Sequence, residues 1–188
     1  MDAITIKTTT TVVDLTGLAC LRGGVAVLSK LGPWVTELRL KGCAGLAGDL
    51  AAFAPLVRLV VLDLGGVTQL EGSLASLAGL KKLRVLDLQG DPVSRSHAVA
   101  GAFADATELP ELTHLNLNFC SLVRGDLEDL VGLLSLTFLG ISSTAAIGDC
   151  HALAHLPLAS LEIFDCPQVH GVGGFKQQRP ECRVYGRK

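Results

Sequence analysis

The sequence predicts an α/β solenoid, in which short parallel strands stack side by side into one curved sheet. An apolar pattern recurs along the chain at a spacing of about 24 residues, as expected when each repeat adds one layer. Each copy begins with the apolar alternation of a strand and continues with apolar residues three apart, which is typical of a short helical turn. The chain has 188 residues, of which 49% are hydrophobic, and stacked repeats provide the core that this apolar content requires.

The strand half of the repeat has apolar residues at its first, fourth and sixth positions. Its copies are Val35-Leu38-Leu40-Cys43, Leu59-Leu62-Leu64-Val67, Leu83-Leu86-Leu88-Asp91, Leu112-Leu115-Leu117-Cys120, Leu136-Leu139-Ile141-Thr144 and Leu161-Phe164-Cys166-Val169. Upstream, Val13 and Leu15 fit the same frame if Thr10 takes the first position. Successive copies begin 25, 24, 24, 29, 24 and 25 residues apart. We therefore expect at least six parallel strands, centred near Leu38, Leu62, Leu86, Leu115, Leu139 and Phe164.

The second half of the repeat carries the frame L-x-G-(D/S)-L. It occurs at 46–50, 70–74 and 123–127, and a variant shifted by one residue begins at Ile147. Its glycine allows a sharp turn, and the following Asp or Ser can cap a helical turn. We therefore expect short helical or 3₁₀ segments on the convex side. The third repeat has five extra residues between Asp91 and Pro110, and we expect the longest helical segment there.

These two motifs together resemble the leucine-rich-repeat family, whose repeats run 20–29 residues with one strand each. The form L-x-x-L-x-L-x-x-(C/T)-x-L-x-G-D-L is similar to repeats common in proteins of protists, algae and bacteria. The resemblance implies one domain over residues 1–188, with an N-terminal capping strand at 1–9, about seven repeats at 10–170 and a C-terminal cap at 171–188. The ending resembles a frequent terminus of the family, although Arg179 stands where that pattern prefers Leu.

The cysteines indicate a reducing environment. They are Cys20, Cys43, Cys120, Cys150, Cys166 and Cys182. Cys43 and Cys120 lie three repeats apart, about 14 Å at the usual strand spacing, which exceeds the ~7 Å between Cα atoms that a disulfide allows. In this family the ninth position is a buried residue that satisfies backbone groups, so the resemblance implies buried thiols. Because the N-terminus also lacks a signal peptide, we expect an intracellular protein, in the cytoplasm above all.

The outward positions of the strands form the candidate binding site. If the fourth and sixth positions point inward, an apolar row of side chains and a neighbouring acidic and amide row face outward from the concave sheet. The candidate partner-binding residues are Val61, Asp63, Val85, Asp87, His114, Asn116, Phe138, Ile163 and Asp165. An apolar ridge beside polar groups is typical of a protein-binding face. Alternatively, β-branched residues occupy these positions because they suit a sheet.

Catalysis, metal binding and nucleic-acid binding lack support in the sequence. No nucleophile motif is present, and Cys150, His151 and His155 form no ligand set with zinc-site spacing. The net charge of −2 and the 4% aromatic content do not favour nucleic acid. No apolar run reaches the ~20 residues of a membrane span. We therefore expect no catalytic, cofactor or metal site.

The sequence thus favours a non-catalytic protein–protein interaction module. It would act as an adaptor or as a structural subunit of a larger assembly, because the high apolar fraction has no second domain to cover it. The alternative is recognition of a glycan or a lipid, which some leucine-rich-repeat receptors perform. An enzyme is the third alternative, since a fold does not exclude a function.

Overall fold

The structure is a computed structural model that describes residues 11–91, 93 and 98–186. The predicted capping strand at 1–9 lies outside these residues. The described strands are β1 Val12–Asp14, β2 Arg22–Gly24, β3 Glu37–Arg39, β4 Gly45–Asp49, β5 Val61–Asp63, β6 Gln69–Ser73, β7 Val85–Asp87, β8 Ala98–Ala102, β9 His114–Asn116, β10 Leu122–Asp126, β11 Phe138–Gly140, β12 Ala145–Asp149, β13 Ser160–Glu162, β14 Gln168–His170 and β15 Arg183–Tyr185. The helices are 3₁₀ segments at Val25–Leu31, Leu50–Phe53, Leu74–Leu77, Leu127–Leu130 and Cys150–Leu153, and α-helices α1 Phe103–Ala106 and α2 Val172–Gln178.

The strands form two parallel sheets, each of which follows the order of the repeats. The odd-numbered strands make an eight-stranded sheet from β1 to β15, and the even-numbered strands make a seven-stranded sheet from β14 to β2. In the eight-stranded sheet, Leu38, Leu62 and Leu86 lie side by side in register. The predicted α/β solenoid of parallel strands is confirmed, with five strands centred at the predicted leucines.

The core is one hydrophobic cluster to which every described repeat contributes. Leu38, Leu62, Leu115 and Leu139 are fully buried, as the frame predicts for its fourth position. Because a single repeat is only one strand thick, each leucine is covered mainly by the matching residues of the repeats on either side.

The ninth position links neighbouring repeats through hydrogen bonds from buried thiols. The Cys43 Sγ donates to the Leu15 carbonyl at 3.1 Å, and the Cys120 Sγ donates to the Leu88 carbonyl at 3.2 Å. The Cys166 Sγ donates to the Ile141 carbonyl at 3.1 Å. Each thiol thus adds a hydrogen bond that ties its own repeat to a backbone carbonyl of the preceding one.

The seven-stranded sheet explains the frame L-x-G-(D/S)-L, which sequence reasoning had assigned to a turn. Gly48, Gly72 and Gly148 have positive φ angles of 132°, 98° and 107°. A Cβ at Gly72 would lie 2.4 Å from the carboxylate of Asp49, and one at Gly148 would lie 2.3 Å from that of Asp126. The glycine therefore permits both the backbone conformation and the close approach of the preceding repeat.

The Asp or Ser after this glycine caps the next helical turn, as predicted. Asp49 accepts a hydrogen bond from the Ala51 N–H at 2.7 Å, and Asp126 accepts one from the Glu128 N–H at 3.0 Å. Ser73 accepts a longer one from the Ala75 N–H at 3.2 Å. Each bond satisfies a backbone donor that the first helical turn leaves without a partner.

The third repeat does not hold the longest helix, contrary to the expectation. Its α1 has four residues, whereas Val25–Leu31 and Val172–Gln178 at the two ends have seven each. The five extra residues precede β8, because β6 begins seven residues after Leu62 and β8 begins twelve residues after Leu86. They lengthen the connection between strands, and residues 94–97 of this connection lie outside the described part of the chain.

The frame of the last repeat was assigned three residues too far along the chain. The strand is Ser160–Glu162, centred on Leu161 and not on Phe164. Leu158, Leu161 and Ile163 are buried, with exposed fractions of 1%, 0% and 5%, whereas Phe164 is 50% exposed. The frame is therefore Leu158-Leu161-Ile163-Cys166, and it begins 22 residues after Leu136.

The C-terminal end is closed by the residue that departs from the family pattern. The Arg179 guanidinium donates to the carbonyl oxygens of Ala154, Leu156 and Leu158, and its Nε pairs with Glu181. A leucine would satisfy none of these carbonyls. In the described residues of the N-terminal end, Val27 and Trp34 are exposed instead.

No helix among the described residues has both the length and the apolar character of a membrane span.

We expect the thiols to separate into one accessible group and five protected ones. Cys20 is exposed, and the other five are buried. Burial raises the pKa of the Cys120 and Cys150 thiols to about 12, so the reactive thiolate is scarce at neutral pH. A thiol reagent should react rapidly with about one cysteine in native protein, and with six after denaturation without reductant. A count of four after denaturation would reveal a disulfide and contradict the arrangement.

Candidate functional site

The outward face of the eight-stranded sheet, here called the open face, carries three parallel rows of side chains. The first row is Val12, Glu37, Val61, Val85, His114, Phe138, Ser160 and Arg183. The second row is Asp14, Arg39, Asp63, Asp87, Asn116, Gly140, Glu162 and Tyr185. The third row, two residues further along each chain segment, includes Lys41, Gly65, Gln89, Asn118, Ser142 and Phe164. Because the strands are parallel and pair in an unbroken register, these rows run continuously across the repeats.

Seven of the nine predicted site residues lie on this face, in adjacent strands. Val61, Val85, His114 and Phe138 are half-buried members of the first row. In the second row Asp63 is half-buried, while Asp87 and Asn116 are buried. The middle of the second row, from Asp63 to Asn116, is thus more enclosed than the sequence suggested.

Ile163 and Asp165 do not belong to the open face, and their assignment is corrected. Ile163 is buried in the core, and Asp165 follows the strand with a φ angle of 54°. Both were misplaced because the last frame was assigned three residues too late. Ser160, Glu162 and Phe164 occupy the outward positions of this repeat instead.

A chain of hydrogen bonds holds the polar rows in place. The Asn116 Nδ2 donates to Asp87 Oδ2 at 3.3 Å and to Gln89 Oε1 at 3.2 Å. The Asn118 Nδ2 donates to Glu162 Oε2 at 2.6 Å, across the intervening strand β11. This bond crosses Gly140, where a Cβ would lie 2.8 Å from Asn118 Nδ2 and from Asn116 Oδ1. The missing side chain at this position therefore allows the amides to link three strands.

Two neighbouring carboxylates of the second row, Asp63 and Asp87, lie side by side on paired strands. Burial raises the pKa of Asp63 above its ordinary value of 3.8, and the charge of Asp87 adds to the shift. A hydrogen bond from the Gly65 N–H at 3.1 Å opposes it, as do the positive charges of Lys41 and Arg39 on the same face. Among the described residues no ion pair joins either carboxylate to a basic side chain. The face thus retains like charges that disfavour each other, which is a common property of functional sites.

His114 and Phe138 stack at the centre of the first row. Their ring centroids are 4.1 Å apart with an interplanar angle of 10°. Burial lowers the pKa of His114 below 6.5, although the carboxylates of Asp87, Asp63 and Glu162 oppose this shift. A lowered pKa keeps the imidazole neutral at pH 7, so the pair presents a flat and uncharged aromatic surface.

The C-terminal half of the open face is richer in aromatic side chains than sequence reasoning predicted. Of the six phenylalanines, Phe53, Phe103 and Phe175 are fully buried. The others are Phe119, Phe138 and Phe164, and they lie at this face together with the single tyrosine, Tyr185. The spacing of Leu158, Leu161, Ile163 and Cys166 was the signal that could have placed Phe164 on the open face.

The histidines near Cys150 do not form a metal site with it. Cys150 is buried in the core, whereas the His151 Nδ1 lies 2.6 Å from Asp149 Oδ1. The His155 Nε2 lies 2.9 Å from the Val131 carbonyl oxygen. Within residues 11–91, 93 and 98–186, no group of three or more His, Cys, Asp or Glu side chains is arranged to hold a metal ion.

Comparison with known proteins finds similarity in structure only. No protein-family model matches the sequence, and no curated protein shows significant similarity to it. An internalin (inlF) from Listeria monocytogenes is 15% identical with a TM-score of 0.61, and the match covers 94% of this chain and 48% of the internalin. Internalin C2 (inlC2) from the same organism is 18% identical with a TM-score of 0.59, covering 94% of this chain and 80% of that chain.

A plant receptor has the same architecture. The Arabidopsis receptor kinase HAESA, solved in complex with the peptide hormone IDA and the co-receptor SERK1, is 19% identical with a TM-score of 0.65. The match covers 98% of this chain and 35% of the receptor chain. This chain therefore spans about half the length of the first internalin and about a third of the receptor. At these identities the comparisons establish the fold.

Substitutions at the adjacent residues Phe138 and Leu139 should differ in their effect on stability, because one side chain lies on the open face and the other in the core. Leu139 is fully buried, so Leu139→Asp places a charge without a partner in the core and should cost several kcal/mol, enough to unfold the chain. Phe138→Asp loses the stack with His114, worth about 0.5–1.5 kcal/mol, and should leave a folded protein. Urea denaturation followed by circular dichroism measures both. Equal destabilisation by the two substitutions would contradict the register of β11.

The pH dependence of the free energy of unfolding should reveal the raised pKa of Asp63 beside Asp87. Because the pKa of Asp63 is raised on folding, the folded chain holds this proton more tightly, and ionisation of Asp63 disfavours folding at pH 7. In Asp63→Asn the side-chain oxygen still accepts the Gly65 N–H while the charge is lost. The variant should be more stable than wild type at pH 7, and the gain should shrink as pH falls towards 3.8. Urea titrations from pH 7 to pH 3 measure the gain, and a pH-independent difference would contradict the assignment.

Proposed function

The chain is a leucine-rich-repeat solenoid, and we propose that it is a non-catalytic module that binds another protein on its open face. One observation carries the proposal. Apart from Trp34 at the N-terminal end, the Phe, Tyr and Trp side chains that the core does not use lie on the C-terminal half of this face, at Phe119, Phe138, Phe164 and Tyr185. Aromatic residues dominate the binding energy of protein interfaces, because they bury a large area with few rotamers to immobilise.

The arrangement around these rings supports a protein as the partner. The first row supplies apolar area from Val61 to Phe138, and the second row supplies hydrogen-bonding groups fixed by their own network. An apolar centre beside ordered polar groups is the usual composition of a protein interface. The HAESA structure, which contains a peptide hormone and a co-receptor, gives a precedent for such partners on this fold.

We propose further that the protein works in a reducing compartment inside the cell, as an adaptor or as a subunit of a larger assembly. Five buried thiols support the compartment, because three of them donate hydrogen bonds as thiols and have no role as disulfides. The exposed Val27 and Trp34 at the N-terminal end support contact with a further protein surface.

Affinity purification from the native source, followed by mass spectrometry, tests the binding face. Wild-type protein should recover a partner that Phe138→Asp loses by at least about tenfold, because an interface anchor is replaced by a charge. The matched control is Leu122→Asp, which places the same charge at an exposed leucine of the seven-stranded sheet. Loss of the partner with Leu122→Asp and not with Phe138→Asp would place the interface on the other sheet and refute the proposal.

A further inference from the structure

A shallow depression of about 320 Å³ lies where the last strands of the eight-stranded sheet end. Its walls include three aromatic side chains, Phe119, Phe164 and Tyr185, and the carboxylate of Glu162. Phe164 is 50% exposed and Tyr185 is 47% exposed, so both rings are accessible to a ligand. No Lys or Arg among the described residues lines the depression.

The backbone fixes the positions of these groups. Tyr185 pairs with Glu162 across β13 and β15, and both belong to the second row. Phe164 is the next outward residue after Glu162, and its N–H donates to Ser142 Oγ at 3.0 Å. The Glu162 Oε2 accepts the 2.6 Å hydrogen bond from Asn118, which fixes the carboxylate and leaves its second oxygen for another donor.

Phe119 occupies a position where earlier repeats have glycine. It has a φ angle of 64°. Gly17, Gly42 and Gly66 at the same position of earlier repeats have φ angles of 75°, and Ser143 and Asp165 of the later repeats have 56° and 54°. The left-handed conformation thus recurs at this position of the repeat, and a bulky aromatic residue is rarely found in it. The chain therefore keeps an aromatic ring beside the depression where glycine would fit the backbone better.

We propose that this depression binds a cationic side chain, arginine or lysine, that the protein partner presents. Aromatic faces carry negative electrostatic potential and attract a cation within about 6 Å, and a carboxylate at the same place adds a charge-assisted hydrogen bond. The inference rests on the proposed function and adds the chemistry of the partner residue. The charge of the site selects this occupant, since three rings and one carboxylate line it and no Lys or Arg of residues 11–91, 93 and 98–186 lines it with them.

The test uses two blocked pentapeptides, one with arginine and one with citrulline between glycines, titrated into ¹⁵N-labelled full-length protein. Citrulline has the shape of arginine without its charge. The arginine peptide should bind with a Kd on the order of 1–10 mM and shift the amide signals of Phe119, Phe164 and Tyr185. The citrulline peptide should bind at least about tenfold more weakly. Equal affinities, or no shift with the arginine peptide, would overturn the cation site.

Three variants separate recognition from folding. Glu162→Gln retains an acceptor for Asn118 and should weaken the arginine peptide at least about fivefold. Phe119→Gly restores the residue of the earlier repeats, so it should fold at least as well as wild type and still weaken binding. Glu71→Gln removes a carboxylate of the seven-stranded sheet and should leave the affinity unchanged. Unchanged binding in both Glu162→Gln and Phe119→Gly would place the peptide elsewhere and refute the assignment.

The outcomes also distinguish this site from the proposed function and from the chain's own tail. If the peptide fails while Phe138→Asp still abolishes partner capture, the open face binds protein without a cation in the depression. If the arginine peptide binds but Phe138→Asp recovers as much partner as wild type, the cation site is supported and the proposed interface is refuted. In the double variant Arg187→Ala/Lys188→Ala, the affinity for the arginine peptide should stay within about threefold of wild type. Binding about tenfold tighter would show that the chain's own tail competes for the site, and it would overturn a partner's side chain as the occupant.

Discussion

No repeat of this chain can bury its own apolar side, and every other feature depends on that constraint. A layer one strand thick is covered only when the next layer matches it residue for residue. The buried leucines enforce the match, the thiols of Cys43 and Cys166 bond to the preceding repeat, and the carboxylate of Asp49 lies against Gly72 of the next. Because the core sets the register, the side chains on the open face are aligned in continuous rows, and hydrogen bonds such as that from Asn118 to Glu162 then link them across the strands.

This dependence explains which parts of the molecule the sequence predicts. The fold and seven of the site residues follow from the leucine spacing, because burial of Leu62 or Leu139 fixes the direction of its neighbours. The last repeat was misassigned because Phe164, an apolar residue on the surface, occupies a place where a buried residue was expected. The second sheet was missed because its strands are rich in glycine and alanine and are stabilised by hydrogen bonds between repeats, which no single repeat reveals.

Three unfavourable features of the structure lie at the open face. Asp63 keeps its charge near Asp87 with a raised pKa, and Phe119 adopts a left-handed backbone conformation. His114 is held neutral in a partly buried stack. A protein under selection for stability alone would lose such features easily, since conservative substitutions relieve each of them. Their common location is consistent with a surface whose composition is determined by a partner.

The guanidinium of Arg179 has a consequence for the dynamics of the chain. Linear arrays open from their ends, and the free energy of local opening sets the rate at which backbone amides exchange with solvent. Arg179 bonds to the carbonyls of Ala154 and Leu156 in the preceding repeat and of Leu158 at the start of its own, so we expect these C-terminal layers to resist fraying. We therefore expect slow amide exchange in the layers that hold Glu162 and Tyr185, and a ligand that binds there meets side chains whose positions folding has already fixed.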